Sequence, residues 1–155
     1  MSRRTVILVR HAEAGPPGAG QGDIGRSLTR RGRAQADQLG RWLAQRKEIA
    51  ELPVSVSPAR RTRETADRAL AGWHHGAVAT DERLWNASLG MLLELLGDAP
   101  GDRLLIGHNP GLEQLHRAWT GMLMPVSVGS AHVLELDADG RARAMDRFQP
   151  SFEGD

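Results

Sequence analysis

Two histidines and a few arginines stand where apolar runs stop. Arg10-His11 closes the run Thr5-Val6-Ile7-Leu8-Val9, and His108 follows Leu104-Leu105-Ile106-Gly107. Between them, Ser57-Pro58-Ala59-Arg60-Arg61-Thr62-Arg63-Glu64-Thr65 follows the short apolar stretch Pro53-Val54-Ser55-Val56. An imidazole changes charge near neutral pH and serves as base, acid or nucleophile. A guanidinium is permanently charged and grips phosphate oxygens in pairs. A helix start adds free N–H groups and the favourable end of a dipole for an anion. Arg10, His11, Arg61 and His108 gathered in one place would suit a dianionic phosphoryl group. There is no His-x-His or His-Glu-x-x-His pattern and no Walker-type or dinucleotide loop, so neither a metal nor a nucleotide cofactor is expected.

These residues can meet only if the elements before them share a sheet. The apolar runs read as strands buried on both faces, which is the pattern of a parallel sheet. Neighbouring strands lie about 5 Å apart, so residues distant in sequence face one ligand at the strand ends, where open α/β sheets bind. Gly15 to Gly22 reads as a mobile surface loop bordering that edge. Thr29 is a helix cap, and the helix is expected to run to about Lys47 with Gly32, Ala36, Leu39 and Leu43 on one face. Gly32 suggests close packing on the sheet. Ser57 is expected to cap a helix over 58–70 with Pro58 at its first position. Arg61 lies in the first turn of that helix; Arg60 and Arg63 point elsewhere and read as surface or rim residues.

Further along, Ala77-Val78-Ala79 reads as a short strand, Leu89 to Leu96 as a helix, and Arg103 to Gly107 as a strand. Asn109-Pro110 repeats the cap-then-proline start, and Leu112, Leu115 and Trp119 line the next helix. Ser130 to Leu136 and Arg141 to Arg147 form a hairpin. Trp42, Trp73, Trp85 and Trp119 read as core, with Trp85 also a pocket-rim candidate. His74 and His75 read as exposed and His132 as a packing residue, while His116 can face either sheet or solvent. The alternation predicts an α/β fold with a mostly parallel central sheet and helices on both faces, in a single domain over residues 1–155.

Composition excludes several classes. The chain has 155 residues, no cysteine and a net charge of +1, so disulfides, thiolate chemistry and a nucleic-acid stripe are not expected. Of its 20 basic residues only Lys47 is lysine. That bias fits a GC-rich bacterial genome, so an arginine is informative only at a special position. No apolar run reaches about 18 residues and no signal-peptide pattern is present, so a cytoplasmic protein without membrane contact is expected.

The motifs in register resemble the histidine phosphatase (phosphoglycerate mutase-like) superfamily. Its marks here are Arg10-His11-Ala12, Ser57-Pro58-x-x-Arg61-x-x-x-Thr65 and Gly107-His108, with Asp23 to Gly32 and Gln35-Ala36 similar to the segment after the first motif. The short chain and Gly107-His108-Asn109-Pro110-Gly111 resemble the compact SixA-type phosphohistidine phosphatases, which lack a cap subdomain. The resemblance implies that His11 is a nucleophile that becomes phosphorylated. It further implies that Arg10, Arg61 and His108 hold the phosphoryl oxygens, with Asn109 as a further substrate-binding residue.

Many relatives place a glutamate proton donor after the third strand. Asn86 stands there in this chain, with Glu82 as the possible donor and Glu13 and Asp23 as fallbacks. A phosphohistidine releases an imidazole whose conjugate acid has a pKa of roughly 6.5, so it needs little acid help. The expectation is a metal-independent phosphatase acting on a phosphohistidine protein. A small-molecule phosphomonoester phosphatase or mutase is the first alternative, and a non-catalytic phospho-ligand binder the second. An uncapped site argues against a mutase, which must keep water from its intermediate.

Overall fold

The computed structural model describes residues 3–151, so Ser2 of the basic start and the two ends of the 1–155 domain lie outside the described residues. A six-stranded sheet is built from β1 (Arg4–Arg10), β2 (Val54–Val56), β3 (Val78–Thr80), β4 (Arg103–Gly107), β5 (Ala131–Leu136) and β6 (Ala142–Phe148). Its order is β3-β2-β4-β1-β5-β6. The four strands from β3 to β1 run parallel, and β5 and β6 close the other edge antiparallel.

Helices α1 (Arg30–Ala44) and α2 (Arg60–Ala69) cover one face; α3 (Leu89–Asp98) and α4 (Gly111–Thr120) cover the other. Alternation within the strands divides the core. Ile7, Val9, Leu104 and Ile106 pack against Leu39, Leu43 and Ala66. Val6, Leu8 and Leu105 pack against Leu92, Leu95, Leu112 and Leu115. The α/β class, the mostly parallel sheet and the two helical layers agree with the sequence. Among the described residues no inserted subdomain covers the strand ends.

The chain leaves β1 toward α1 on one face and leaves β4 toward α4 on the other. Two adjacent parallel strands with diverging exits open a crevice at their carboxyl ends. Arg10 is paired with Gly107 across these strands, so His11 and His108 are the first residues beyond the paired register.

Several boundaries differ from the sequence reading. Thr29 caps α1 as expected, its side chain accepting from the Gly32 N–H, but the helix stops at Ala44, and Lys47–Ile49 form a separate 3₁₀ turn. Ser57 does not cap α2, which starts at Arg60 with Ala59 in the cap position and no side-chain cap bond. The Ser57 hydroxyl instead faces His108, and Thr62 Oγ1 donates back to the Ser57 and Ala59 carbonyls. Likewise α4 starts at Gly111 after the cis Asn109-Pro110 bond.

Gly32 does pack closely, but on the backbone after the first motif and not on the sheet: a Cβ there would stand 2.0 Å from the Glu13 carbonyl oxygen. Its neighbour is backbone and cannot swing away. Gly32→Ala is therefore expected to cost about 3 kcal/mol, at the upper end of overpacking penalties. A urea titration should show this as a lowered midpoint; an unchanged midpoint would contradict the close approach.

Candidate active site

His11 is the residue where β1 ends. Its N–H donates to the Gly107 carbonyl at 3.1 Å, and its side chain is only 8% exposed. Ring Nδ1 lies 2.7 Å from the Ala12 carbonyl oxygen. A carbonyl only accepts, so Nδ1 carries the proton and Nε2 keeps its lone pair. Two further bonds hold this segment: the Ala12 N–H donates to Thr65 Oγ1, and Gly129, at φ 73°, donates its N–H to the Arg10 and His11 carbonyls. Gly129 suits the left-handed conformation that this approach requires.

The His108 ring centroid lies 5.3 Å from that of His11. Its Nε2 is 2.8 Å from the fully buried Ser57 Oγ. Ser57 Oγ also accepts from the Ala59 N–H, at 3.4 Å. Its own proton has the His108 nitrogen as its acceptor. This network assigns His108 as the Nδ1–H tautomer, with Nδ1 buried and unpaired. The edge of Trp85 packs on the same ring, at 5.4 Å between centroids.

Arg61 is 6% exposed and reaches the site from the first turn of α2. Nη1 donates to the Asp23 carbonyl at 2.8 Å, Nη2 lies 3.3 Å from the Asp23 carboxylate, and the guanidinium stands over Trp85 at 5.3 Å. Arg10 Nη1 donates to the Val126 carbonyl at 3.1 Å. Nε of Arg10 and Nε of Arg61 have no protein partner. Around His11 there are thus three buried donors without acceptors: these two and His108 Nδ1. Leaving such groups unpaired costs about 1–3 kcal/mol each, a debt that an anion's oxygens would cancel.

The structure brings Arg10, His11, Arg61 and His108 together, as the sequence led us to expect. Asn109 is nearby, but its amide is engaged with the protein, donating to Glu113 Oε2 at 2.6 Å and to the Val126 carbonyl at 2.8 Å. It therefore ties the start of α4 to the loop that also receives Arg10. Glu82 is exposed, with no bond to any of these residues among the described ones, and Asn86 is exposed at φ 53°. Glu13 accepts from Thr29 Oγ1. Arg60 pairs with Glu64, and Arg63 donates to the Pro58 carbonyl on the outer side of the helix.

Arg26 was not singled out by its position in sequence, yet its charge acts on His11. It is held by the Gly15 and Ala14 carbonyls and by Asp23 at 3.2 Å. Ser57 was read as a helix cap and not as a partner of His108. Arg26 ends the short 3₁₀ turn Asp23–Gly25, inside the motif-like segment Asp23 to Gly32, where nothing in its residue type set it apart from the other arginines.

The chain belongs to the histidine phosphatase superfamily, branch 1, whose family profile matches residues 6–122. That membership implies phosphatase chemistry. Among solved structures it is similar to a protein from Agrobacterium tumefaciens assigned as the phosphohistidine phosphatase SixA. The two are 26% identical with a TM-score of 0.83, over 95% of this chain and 98% of that one. A protein from Nakamurella multipartitia with the same assignment is 25% identical with a TM-score of 0.80, over 97% of this chain and 98% of that one. The protein histidine phosphatase SixA complexed with tungstate shares the fold, with a TM-score of 0.80 at 20% identity over 94% and 97% of the two chains. A search of curated proteins gives no significant match. Among the described residues no helix is long and apolar enough to cross a membrane.

Burial, reinforced by the cations Arg61, Arg10 and Arg26, pushes the His11 pKa down to about 4, against a partial upward pull from the Ala12 carbonyl. Burial and then His11 and Arg61 push His108 down to about 3. Both rings are therefore neutral in the folded protein at pH 7. An unfolded histidine protonates near pH 6.5, so below that pH the unfolded state binds more protons than the native state. The stability associated with these two rings is full above about pH 6.5 and falls as pH drops toward 4 for His11 and 3 for His108. Urea midpoints should decline between pH 7 and pH 5, and the decline should shrink when both rings are replaced by Phe. An equal decline in wild type and the double variant would contradict these assignments.

Proposed function

We propose that this protein is a metal-independent phosphohistidine phosphatase, built as one domain over residues 1–155, in which His11 Nε2 is the nucleophile. The observation that carries this reading is the His11 Nδ1–H bond to the Ala12 carbonyl, which leaves Nε2 as a neutral lone pair beside Arg10, Arg61 and His108. In the first step Nε2 forms a bond to phosphorus while the bond to the substrate's leaving atom breaks. In the second, a water attacks phosphorus, releases phosphate and returns the electron pair to Nε2. Charge spreads over the three equatorial oxygens in both transition states, and fixed cations and N–H donors oppose it without reorganising. Arg10 and Arg61 supply the charge and His108 Nδ1–H a neutral donor. The positive charge that metal ions supply elsewhere is already present.

The leaving group points to the substrate class. The carboxyl group that touches the four residues is that of Asp23, 3.3 Å from Arg61 Nη2. Against the upward push of desolvation, hydrogen bonds and charge from Arg26 and Arg61 hold it below the usual carboxylate range, so it is an ionised partner of the arginines and not a proton donor. Glu82 is exposed and Asn86 occupies the segment where a donor was sought. An alkoxide leaves poorly without an acid, whereas the imidazole of a phosphohistidine leaves readily. The absence of an inserted subdomain leaves room for a protein carrying that phosphoryl group and lets water reach the intermediate, which does not suit a mutase. The similarity to proteins assigned as SixA supports the same substrate.

The test compares kcat/KM on a phosphohistidine protein, aryl phosphates and glycerol phosphates, with and without EDTA. The expected order is phosphohistidine and aryl above alkyl by at least a hundredfold, with no loss in EDTA. His11→Ala should remove turnover by a factor of 10³ or more, since no neighbouring group offers an in-line nitrogen. Equal rates across leaving groups would remove the argument for phosphohistidine. Loss in EDTA that a divalent ion restores would overturn metal independence, and substantial turnover by His11→Ala would overturn the nucleophile.

A further inference from the structure

A second pair of histidines sits away from this site, between α4 and the β5–β6 edge. His116 is 1% exposed and His132 is 4% exposed; their rings meet edge-on with centroids 5.3 Å apart. Both Nε2 atoms are buried without a hydrogen-bond partner. The two rings line a cavity of about 260 Å³ together with Met124, Met145, Asp146 and Arg147. Met145 lies where the β5–β6 register shifts, between the pairings Val133–Asp146 and Leu134–Ala144. Such bulges redirect side chains and are frequent beside functional sites.

The tautomer of His116 follows from Thr120. That hydroxyl donates its one proton to the His116 carbonyl at 2.8 Å, accepts from the Met122 N–H at 3.1 Å, and lies 3.2 Å from His116 Nδ1. Nδ1 therefore carries the ring proton, and Nε2 is a bare, buried lone pair. Two imidazoles bound to one ion at metal–nitrogen distances near 2 Å bring their centroids to about 5–6 Å, the separation found here.

We propose that His116, His132 and Met124 form a binding site for one monovalent copper ion. The chemistry selects the metal. Two imidazoles with a thioether suit Cu(I), which accepts two or three soft ligands. Zinc demands four ligands, commonly with a carboxylate or thiolate among them. Among the described residues no three His, Asp or Glu side chains converge as a ligand set. The Asp146 carboxylate is held by Arg46 at 2.6 Å, and Arg147 Nη1 donates to the Met124 sulfur at 3.1 Å, leaving that sulfur a second lone pair. With a guanidinium this close and no free carboxylate, a single positive charge is better tolerated than a double one.

The experiment titrates the full-length protein anaerobically with Cu(I) held by bicinchoninate, and reads copper transfer, unfolding temperature and the copper absorption edge. The expected result is one copper per chain, a raised unfolding temperature, and a first shell of two imidazole nitrogens and one sulfur. His132→Phe should abolish transfer and Met124→Leu should weaken it about tenfold, with circular dichroism confirming that each is folded. Should His132→Phe fail to fold, the sulfur signal and its loss in Met124→Leu decide the matter. Zn(II) should bind at least a hundredfold more weakly than Cu(I). No transfer to wild type, equal transfer to a folded His132→Phe, a shell without sulfur, or zinc binding as tight as copper would each overturn the proposal.

Discussion

Arg10 pairs with Gly107 across two parallel strands, and the rest of the site depends on that register. The pairing sets His11 and His108 side by side although they lie 97 positions apart in sequence. A slip of one residue would move every side chain of β1 to the other face of the sheet and bury the wrong ones. Register is held by the core on both faces, since Ile7, Leu8, Leu104 and Leu105 are all fully buried. Strand β2 joins at the other side of β4, where the Ser57 N–H donates to the Ile106 carbonyl and delivers the Ser57 hydroxyl to His108. The same β2–α2 connection delivers Arg61. One hydrophobic sheet thus aligns groups from three distant segments, and long-range polar bonds such as Ala12 N–H to Thr65 Oγ1 and Arg61 to the Asp23 carbonyl then fix them in place.

Electrostatics then sets the state of each group. Two histidines beside arginines, away from water, are held neutral. A neutral ring can offer a lone pair, and a cationic one cannot. The cations that depress the histidines also attract a dianion, so one arrangement favours both a free imidazole lone pair and an anionic ligand. Asp23 is the counterweight: its carbonyl and carboxylate orient Arg61 from the loop after the first motif. The Gly- and Pro-rich segment from Gly15 to Gly22 therefore leads into a residue that contacts the site, which is how that loop borders it.

Much of this was legible in the residues. Long apolar runs with β-branched residues mark buried strands, and a charged or titratable residue at their ends marks the edge where ligands bind, so Arg10, His11 and His108 stood out. Arg61 followed from the helix start after β2. What remained hidden was set by tertiary contact. The Ser57 hydroxyl had two competing uses, helix cap or histidine partner, and only the position of β4 decides between them. Asn109 was read as a substrate-binding residue, and its amide nitrogen also has protein partners, donating to Glu113 and to the Val126 carbonyl, that only the fold brings to it. Gly32 was read against the sheet, whereas it meets the Glu13 backbone, because the chain after β1 folds back over α1. The end of α1 at Ala44 could not be read, since the polar face of the helix continues past it in sequence.

The account rests on which nitrogen attacks phosphorus. His11 Nδ1 is committed to the Ala12 carbonyl, so only Nε2 is free. The direct measurement is ³¹P–¹⁵N coupling in protein labelled with ¹⁵N-histidine and quenched in base during turnover. The account predicts a single phosphoryl group on His11, bonded through Nε2. A phosphoryl group on Nδ1, on His108 or on any other residue would contradict it.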